Sequence, residues 1–217
     1  MSRFLGFVFA ISLFVSVAAG DVMWQPTAVT TNMGNFGLPA FSPNYLISQS
    51  GLTTGYVSGV TDAGTYNSSH GNVFDEWQSS VGIPTGIVTF DLGATVSLTG
   101  FRLWNSSWST GGGNIDVNDF FLFSDTDNDF SNGFAGAIGS FNALDSNGTI
   151  HSMQSYSFAT TTTQFVHMRI FSNHGSSSNS GFSEAAFVVS SVPEPSSLIL
   201  LGTLAGCFGM TRRGRSR

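Results

Sequence analysis

Between residues 21 and 191 the chain alternates short apolar runs with clusters of Gly, Ser, Asn and Asp, and no stretch sustains a helical period. Six segments carry a strand pattern most clearly: Ile87–Leu92, Val96–Asn105, Phe120–Ser124, Tyr156–Ala159, Gln164–Ser172 and Phe182–Val189. β-Branched and aromatic residues dominate them and turn-forming residues separate them, which is the pattern of a sandwich or barrel. Successive side chains on a strand point to opposite faces, so Val88, Phe90 and Leu92 share one face while Thr89 and Asp91 share the other. In Gln164–Ser172 the same rule sets Val166, Met168 and Ile170 against Phe165, His167, Arg169 and Phe171. Trp77 and Trp104 fall inside such apolar segments and are expected in the core. Residues 34–65 are rich in Gly, Ser and Pro and give only weak strand signals.

The two ends read differently. Residues 1–20 carry one charge, Arg3, then the apolar run Phe4–Ala18, then Ala18-Ala19-Gly20. This is the layout of a secretory signal peptide cut before Asp21. As a helix its apolar core spans about 22 Å, short of the ~30 Å hydrocarbon layer of a membrane. Residues 192–217 begin with Val192-Pro193-Glu194-Pro195, a rigid stop to any helix. The mostly apolar run Leu198–Met210 follows, and Arg212, Arg213, Arg215 and Arg217 close the chain. Arginines beside an apolar stretch hold that end in the cytoplasm, which places the middle outside once the N-terminus is exported.

Composition narrows the function of the middle, whose length suits one domain with its own core. Charged residues are 9% of the chain, against about 25% in an ordinary soluble protein. Residues 21–191 hold two arginines, Arg102 and Arg169, against twelve acids, a formal charge of −10. That excludes a nucleic-acid binder, which needs a basic footprint, and argues against adhesion to anionic lipid. Apolar content of 41%, with 21 Phe, argues against a wholly disordered chain. Cys207 is the single cysteine and sits in the tail, so the domain has no intramolecular disulfide, Cys-rich zinc site or thiol nucleophile.

Enzyme signatures are missing. There is no Gly-rich phosphate loop leading into a helix, no nucleophile elbow and no metalloprotease helix. The neighbours Asp75 and Glu76 cannot form the opposed carboxylate pair of a glycoside hydrolase if they alternate faces. Asp125-Thr-Asp-Asn-Asp129 begins like an EF-hand loop but places Phe130 where that loop needs Gly and Gly136 where it needs Glu. These acids are expected to be solvated. Sugar binding asks instead for an aromatic face beside amides or His. Trp108 sits in the polar, Gly-rich loop Asn105–Gly113, and Asn173-His174 heads a second polar loop running to Gly181. Trp108, Asn105, Asn173 and His174 are therefore the candidate carbohydrate contacts, whereas His70 reads as an ordinary loop residue.

Two resemblances extend this reading. The tail, with Pro193-Glu194-Pro195, a short apolar helix and a basic end, resembles the PEP-CTERM sorting signal of envelope-bearing bacteria. The resemblance implies an exosortase partner, transient membrane insertion by the C-terminal helix, and a mature protein from which the tail is removed. The middle, roughly Gln49 to Val189, looks like the discoidin or coagulation-factor C-type domain. Its landmarks are Trp77-Gln78-Ser79, Phe90-Asp91-Leu92-Gly93, Leu98–Asn105, Phe165–Ile170 and Ser183-Glu184. That resemblance implies an all-β, galactose-binding-like jelly-roll sandwich that binds extracellular polysaccharide or a surface glycan. It also implies calcium near the last landmark, with Glu184, Asp62 and Thr65 as ligands. Residues 1–20, 21–191 and 192–217 thus read as signal peptide, sandwich and sorting signal of an exported, non-catalytic surface or matrix protein. A structural envelope subunit without a ligand is the alternative, and a polysaccharide hydrolase a remote third.

Overall fold

The computed structural model describes residues 20–190 apart from 38–40, 72–73, 107–108, 111–112 and 147–150, and gives only the backbone for 109, 110 and 113. Both terminal segments, including Pro193-Glu194-Pro195, lie outside the described residues. The chain begins with β1 (Val22–Trp24) and β2 (Ala28–Thr31), followed by a 3-10 turn at Pro43–Ile47. Next come β3 (Ser69–His70), β4 (Trp77–Gln78), the long β5 (Gly86–Asn105), β6 (Ser109–Thr110) and β7 (Gly113–Asn114). The remainder is β8 (Asp119–Asp125), β9 (Gly136–Asn142), β10 (His151–Ser152), the long β11 (Gln154–Ile170) and β12 (Gly181–Val189). Ile87–Leu92 and Val96–Asn105 prove to be one strand, and Tyr156–Ala159 and Gln164–Ser172 fall largely within another.

Those two long strands build the architecture. β5 and β11 pair antiparallel from Gln154↔Leu103 to Ile170↔Gly86, with register shifts between Ser157 and Thr161 and between Thr163 and Phe165. Bulges of this kind bend a ladder and increase its twist. Gly93 lies in the same stretch at φ +78, and a Cβ there would meet Thr27, so only glycine suits the position. The first half of β5 pairs with β2, and the second half of β11 with β8, which carries β9. The second half of β5 pairs with β12, which carries β1 and β4. One continuous ladder therefore supplies both layers of a sandwich.

The core lies between the layers. Phe90 on the first meets Phe187 on the second edge to face at 5.5 Å, and Phe101 on the second meets Phe120 on the first at 5.9 Å. Val88, Phe90, Leu92, Val166 and Met168 are fully buried, as their alternation predicts, and so are Trp77 and Trp104. The weakly patterned segment forms a third layer. Tyr56, Ala63 and Tyr66 cover the outer face of the β12–β5 half, packing on Trp104, Ala186 and Val188. The indole of Trp104 donates to the Ser68 carbonyl at 3.0 Å, which pins this cover to the sheet.

Because Phe101 touches Phe120, Phe187 and Tyr156 across the bend, Phe101→Ala should cost about 3–5 kcal/mol, the usual range for deleting a buried aromatic. Urea denaturation of the two proteins measures it. A loss below about 1 kcal/mol would mean that the two layers do not depend on this contact.

Candidate functional site

Loops from both layers gather at one end of the sandwich. Asn173 and Gly175 bridge Val117 and Asn114, and Asp116 bridges Gly181, so the 114–117 and 173–181 segments lie side by side. Asn105, Asn173 and His174, three of the sequence-predicted sugar contacts, lie in these segments, but in structural roles. Asn105 is fully buried: its Nδ2 donates to the Val117 and Leu144 carbonyls, and its Oδ1 accepts the Val117 amide. This corrects its assignment as a ligand contact, because every polar atom of the side chain is committed to the fold. Asn173 Nδ2 donates to the Ser176 and Asn179 carbonyls and its Oδ1 accepts the Gly175 amide, so this amide shapes its own loop. His174 is half-buried and donates from Nε2 to the Ala143 carbonyl at 2.9 Å. Trp108 lies outside the described residues.

The residues assigned to calcium do not fit it. Asp62 pairs with Val22, which in turn pairs with Val189, five residues along β12 from Glu184. At about 3.3 Å per residue that separates the two carboxylates by roughly 16 Å, whereas ligands to one calcium lie about 2.3–2.6 Å from it. Asp62 and Thr65 are exposed, and Asp62 Oδ1 accepts the Gly64 amide in a tight turn. Glu184 is fully buried beneath the third layer, opposite Trp104, with Oε2 accepting the Gln49 amide at 2.9 Å. Its Oε1 is buried without a hydrogen-bond partner, and burial pushes the carboxyl well above its usual range against the opposing pull of the Gln49 and Ser48 amides. A carboxyl so placed favours its protonated form. Among the described residues no cluster of three or more His, Cys, Asp or Glu could hold a metal ion.

Three histidines are buried, contrary to the loop reading of His70. His70 and His151 face each other across the β3–β10 pair. His70 donates from Nε2 to the Ser50 carbonyl, leaving Nδ1 buried without a partner, and His151 Nε2 is likewise unpartnered. Burial lowers both, taking His151 to about 4 with a further push from His70. On the outer face of the other half, His167 Nδ1 meets Thr89 Oγ1 at 2.8 Å and Nε2 meets Asp125 Oδ2 at 3.3 Å. Asp125 is thus buried and paired, a correction to the expectation that all the acids of 125–129 are solvated. Hydroxyl, imidazole and carboxylate stand in a row there, with Phe130 and Phe134 packed on a ring that is fully buried.

The open chemistry lies elsewhere. A cleft of about 510 Å³ runs along the end of β9 and the start of β11, lined by Asn142, Leu144, Asp145, His151, Gln154 and Tyr156 among others. Small-molecule sites typically enclose about 300–1,000 Å³. Leu144 is 70% exposed on its rim, an apolar surface in an otherwise polar turn. Gln154 holds that turn with both ends of its amide, accepting the Leu144 amide and donating to the Leu144 carbonyl. His174 fixes the neighbouring Ala143 carbonyl, and the Ser146 hydroxyl reaches the Ser106 carbonyl, so both predicted loops buttress the cleft. Behind Ser146, Asp116 is fully buried: Oδ2 accepts the Ser146 amide and hydroxyl while Oδ1 has no partner. Burial pushes Asp116 up to about 6, partly offset by those two hydrogen bonds. Sequence reasoning missed this site. An isolated Leu inside the polar run Asn142–Gly148 was the available signal.

Residues 191–213 match the PEP-CTERM protein-sorting motif. The chain carries a PEP-CTERM sorting signal. Such a signal marks an exported, envelope-associated protein. No curated protein matches the chain. Among solved structures, truncated AlyQ with CBM32 and alginate lyase domains aligns at a TM-score of 0.51 and 17% identity, covering 81% of this chain and 35% of that one. A Ruminococcus gnavus GH29 fucosidase in complex with fucose gives 0.50 and 11%, covering 76% and 25%. The CBM32 of AlyQ in complex with 4,5-unsaturated mannuronic acid gives 0.48 and 18%, covering 76% and 97%. The described residues thus share the all-β jelly-roll fold of the first two structures, the fold that the sequence resemblance implied.

Two expectations concern the buried titratable groups. A histidine depressed in the folded state takes its proton first in the unfolded chain, so its stabilisation is present above about pH 6.5 and is lost as pH falls towards the folded value. His151 should act over pH 6.5 to about 4, with His70 and His167 adding the same sign. Asp116 and Glu184, both raised, act in the opposite sense and stabilise on acidification. Relative to the wild type, His151→Gln should therefore gain about 1–2 kcal/mol between pH 7 and pH 4.5, allowing for partial solvent screening. Urea denaturation at both pH values measures the difference, and a pH-independent difference would contradict it. Glu184→Gln should melt at the same or a higher temperature than the wild type at pH 7.5, with calcium or chelator moving neither. A calcium-dependent rise in the wild type that the variant lacks would restore the metal assignment.

Proposed function

We propose that the mature protein is a non-catalytic carbohydrate-binding module displayed at the cell envelope or in the extracellular matrix, with its glycan held in the cleft beside the 105–118 and 173–181 loops. The observation that carries this reading is the cleft itself. It is open, lies at the loop end of the sandwich, and combines the exposed Leu144 with Tyr156, hydroxyls and the Asp145 carboxylate. A pyranose presents the complementary surface, an apolar C–H face bordered by hydroxyls that need donors and acceptors. The fold supports the reading, since carbohydrate-binding modules are prominent among its structural neighbours.

The sorting signal supports the rest of the proposal. An exosortase engages Pro193-Glu194-Pro195 while the apolar run Leu198–Met210 is inserted and the arginines face the cytoplasm. That run is only about 20 Å long as a helix, poorly suited to permanent spanning. Protein extracted from the surface of its native host should therefore have an intact mass lacking Leu198–Arg217. An arginine-ended chain in the membrane fraction would overturn the processing step.

A glycan array probed with the mature protein tests the binding role. Binding to extracellular polysaccharide fragments is expected, and Leu144→Asp should weaken it about tenfold without lowering the melting temperature, because the side chain is exposed. A silent array from protein with a normal melting curve would favour a structural envelope subunit instead.

A further inference from the structure

We propose that the outer face of the β5–β11–β8 half is the contact between two copies of this chain, packed face to face with their strands antiparallel. The other half of the sandwich hides its outer face beneath the third layer. This half keeps Phe121, Phe123, Phe134, Phe165 and Phe171 packed into neither the core nor that layer. Phe121 and Phe123 share the face with Arg169 and His167, their direct partners across the ladder. The rings of Phe121, Phe123 and Phe134 form a stacked column with centroids 4.5 and 4.0 Å apart, and Phe171 is 48% exposed. Their neighbours on the edge strand β9 are Ser140 and Ala137, too small to cover the rings. A contiguous apolar surface of this kind marks an interaction site.

Charge decides what covers it. Arg169 is exposed, and among the described residues its guanidinium meets only the Phe171 ring, 4.9 Å from the centroid. It stands two residues along β11 from His167, towards the loop end. Two residues the other way is Phe165, flanked by Asp91 on β5 and Asp125 on β8. Asp127 and Asp129 follow, near enough to act on the charge of His167. Asp125 is committed to His167, which leaves Asp91, Asp127 and Asp129 to meet an incoming cation. Cation and acids therefore lie about 7 Å to either side of the His167 row, at roughly 3.3 Å per residue.

A two-fold axis running across the strands through the Phe123–His167 row exchanges those two ends. Each Arg169 then lies over the partner's Phe165 ring, beside the partner's Asp91, while the two aromatic columns meet. An acidic polymer on the same face would meet Arg169 at one end and like charge at the other. Only a partner with the same polarity, reversed, fits both. Two domains of formal charge −10 repel, but at 0.15 M salt the Debye length is about 8 Å, so contact pairs outlast that repulsion. The pair points its two loop ends in opposite directions. With a glycan in each cleft, as in the carbohydrate-binding reading, it would join two polysaccharide strands; the pairing itself does not depend on that reading.

Sedimentation equilibrium of the mature protein, at about 0.15 M salt, tests the pairing. The mean mass should rise with concentration towards that of two chains. Arg169→Glu should weaken the dimer about tenfold, since each dimer holds two such contacts. Being exposed, the variant should melt like the wild type. Ala137 is exposed and lies on the axis row opposite Phe123, so it faces its own copy. Ala137→Cys, in a mature chain that lacks Cys207, should be captured as a dimer by a bis-maleimide spanning the roughly 10 Å between packed sheets. Ser157→Cys, exposed on the other half of the sandwich, should not. A chain that stays monomeric at every concentration would overturn the proposal, as would a dimer indifferent to Arg169→Glu or captured through Ser157→Cys instead. A monomer whose Phe121–Phe123 amides gain protection from an array-binding polysaccharide fragment would give the face to glycan and overturn it too. A positive glycan array beside any of these results would leave the carbohydrate-binding reading standing.

Discussion

The bend in the β5–β11 ladder is the constraint on which the molecule depends. A single pair of strands, paired from Gly86 to Leu103 on one side and from Gln154 to Ile170 on the other, crosses from one layer to the other. Its bulges and Gly93 allow the crossing, and the Phe90, Phe101, Phe120 and Phe187 rings then fill the space between the two halves. Since both layers hang from the same backbone, the ends of their other strands are fixed relative to one another. That is why segments as distant in sequence as 114–117, 142–146 and 173–181 converge at one end.

A small, acidic domain of this kind must also dispose of its polar groups. It does so by covering one face of the sandwich with residues 49–70 and part of another with Phe130 and Phe134. Beneath those covers lie His70, Glu184, and the His167–Asp125 pair. Gly51 belongs to this arrangement: its φ is +85, and a Cβ would come within 2.5 Å of the His70 ring. The cleft differs from these sites in being open, with Leu144 and Asp145 exposed along it.

The strand alternation made the core legible in the sequence. Val88, Phe90, Leu92, Val166, Met168 and Ile170 point inward as read, because the side-chain period of two is strict when one face is buried. β9 escaped notice because Gly136-Ala-Ile-Gly-Ser-Phe-Asn142 is an edge strand whose small residues carry little alternation. The third layer was illegible for a related reason: its order comes from long-range contacts such as Trp104 to Ser68, not from a local pattern. At the candidate site, residue type alone selected amides that serve the fold. Asn105 and Asn173 are polar because loops need internal hydrogen bonds, and nothing local distinguishes that need from recognition. Spacing likewise could not reveal that Asp62 lies beside β1 opposite Val189, five residues along β12 from Glu184.

The central claim is that ligand is bound at the loop end, in the cleft between the end of β9 and the start of β11. Amide hydrogen exchange, measured with and without a polysaccharide fragment that binds on the glycan array, at saturation, tests it most directly. New protection should concentrate in residues 142–146 and 151–156, with a weaker effect in 173–176, where the buttressing loop meets Ala143. Protection that appears instead around Phe121, Phe123 and Phe134 on the outer face of the sheet, with the cleft unchanged, would contradict it.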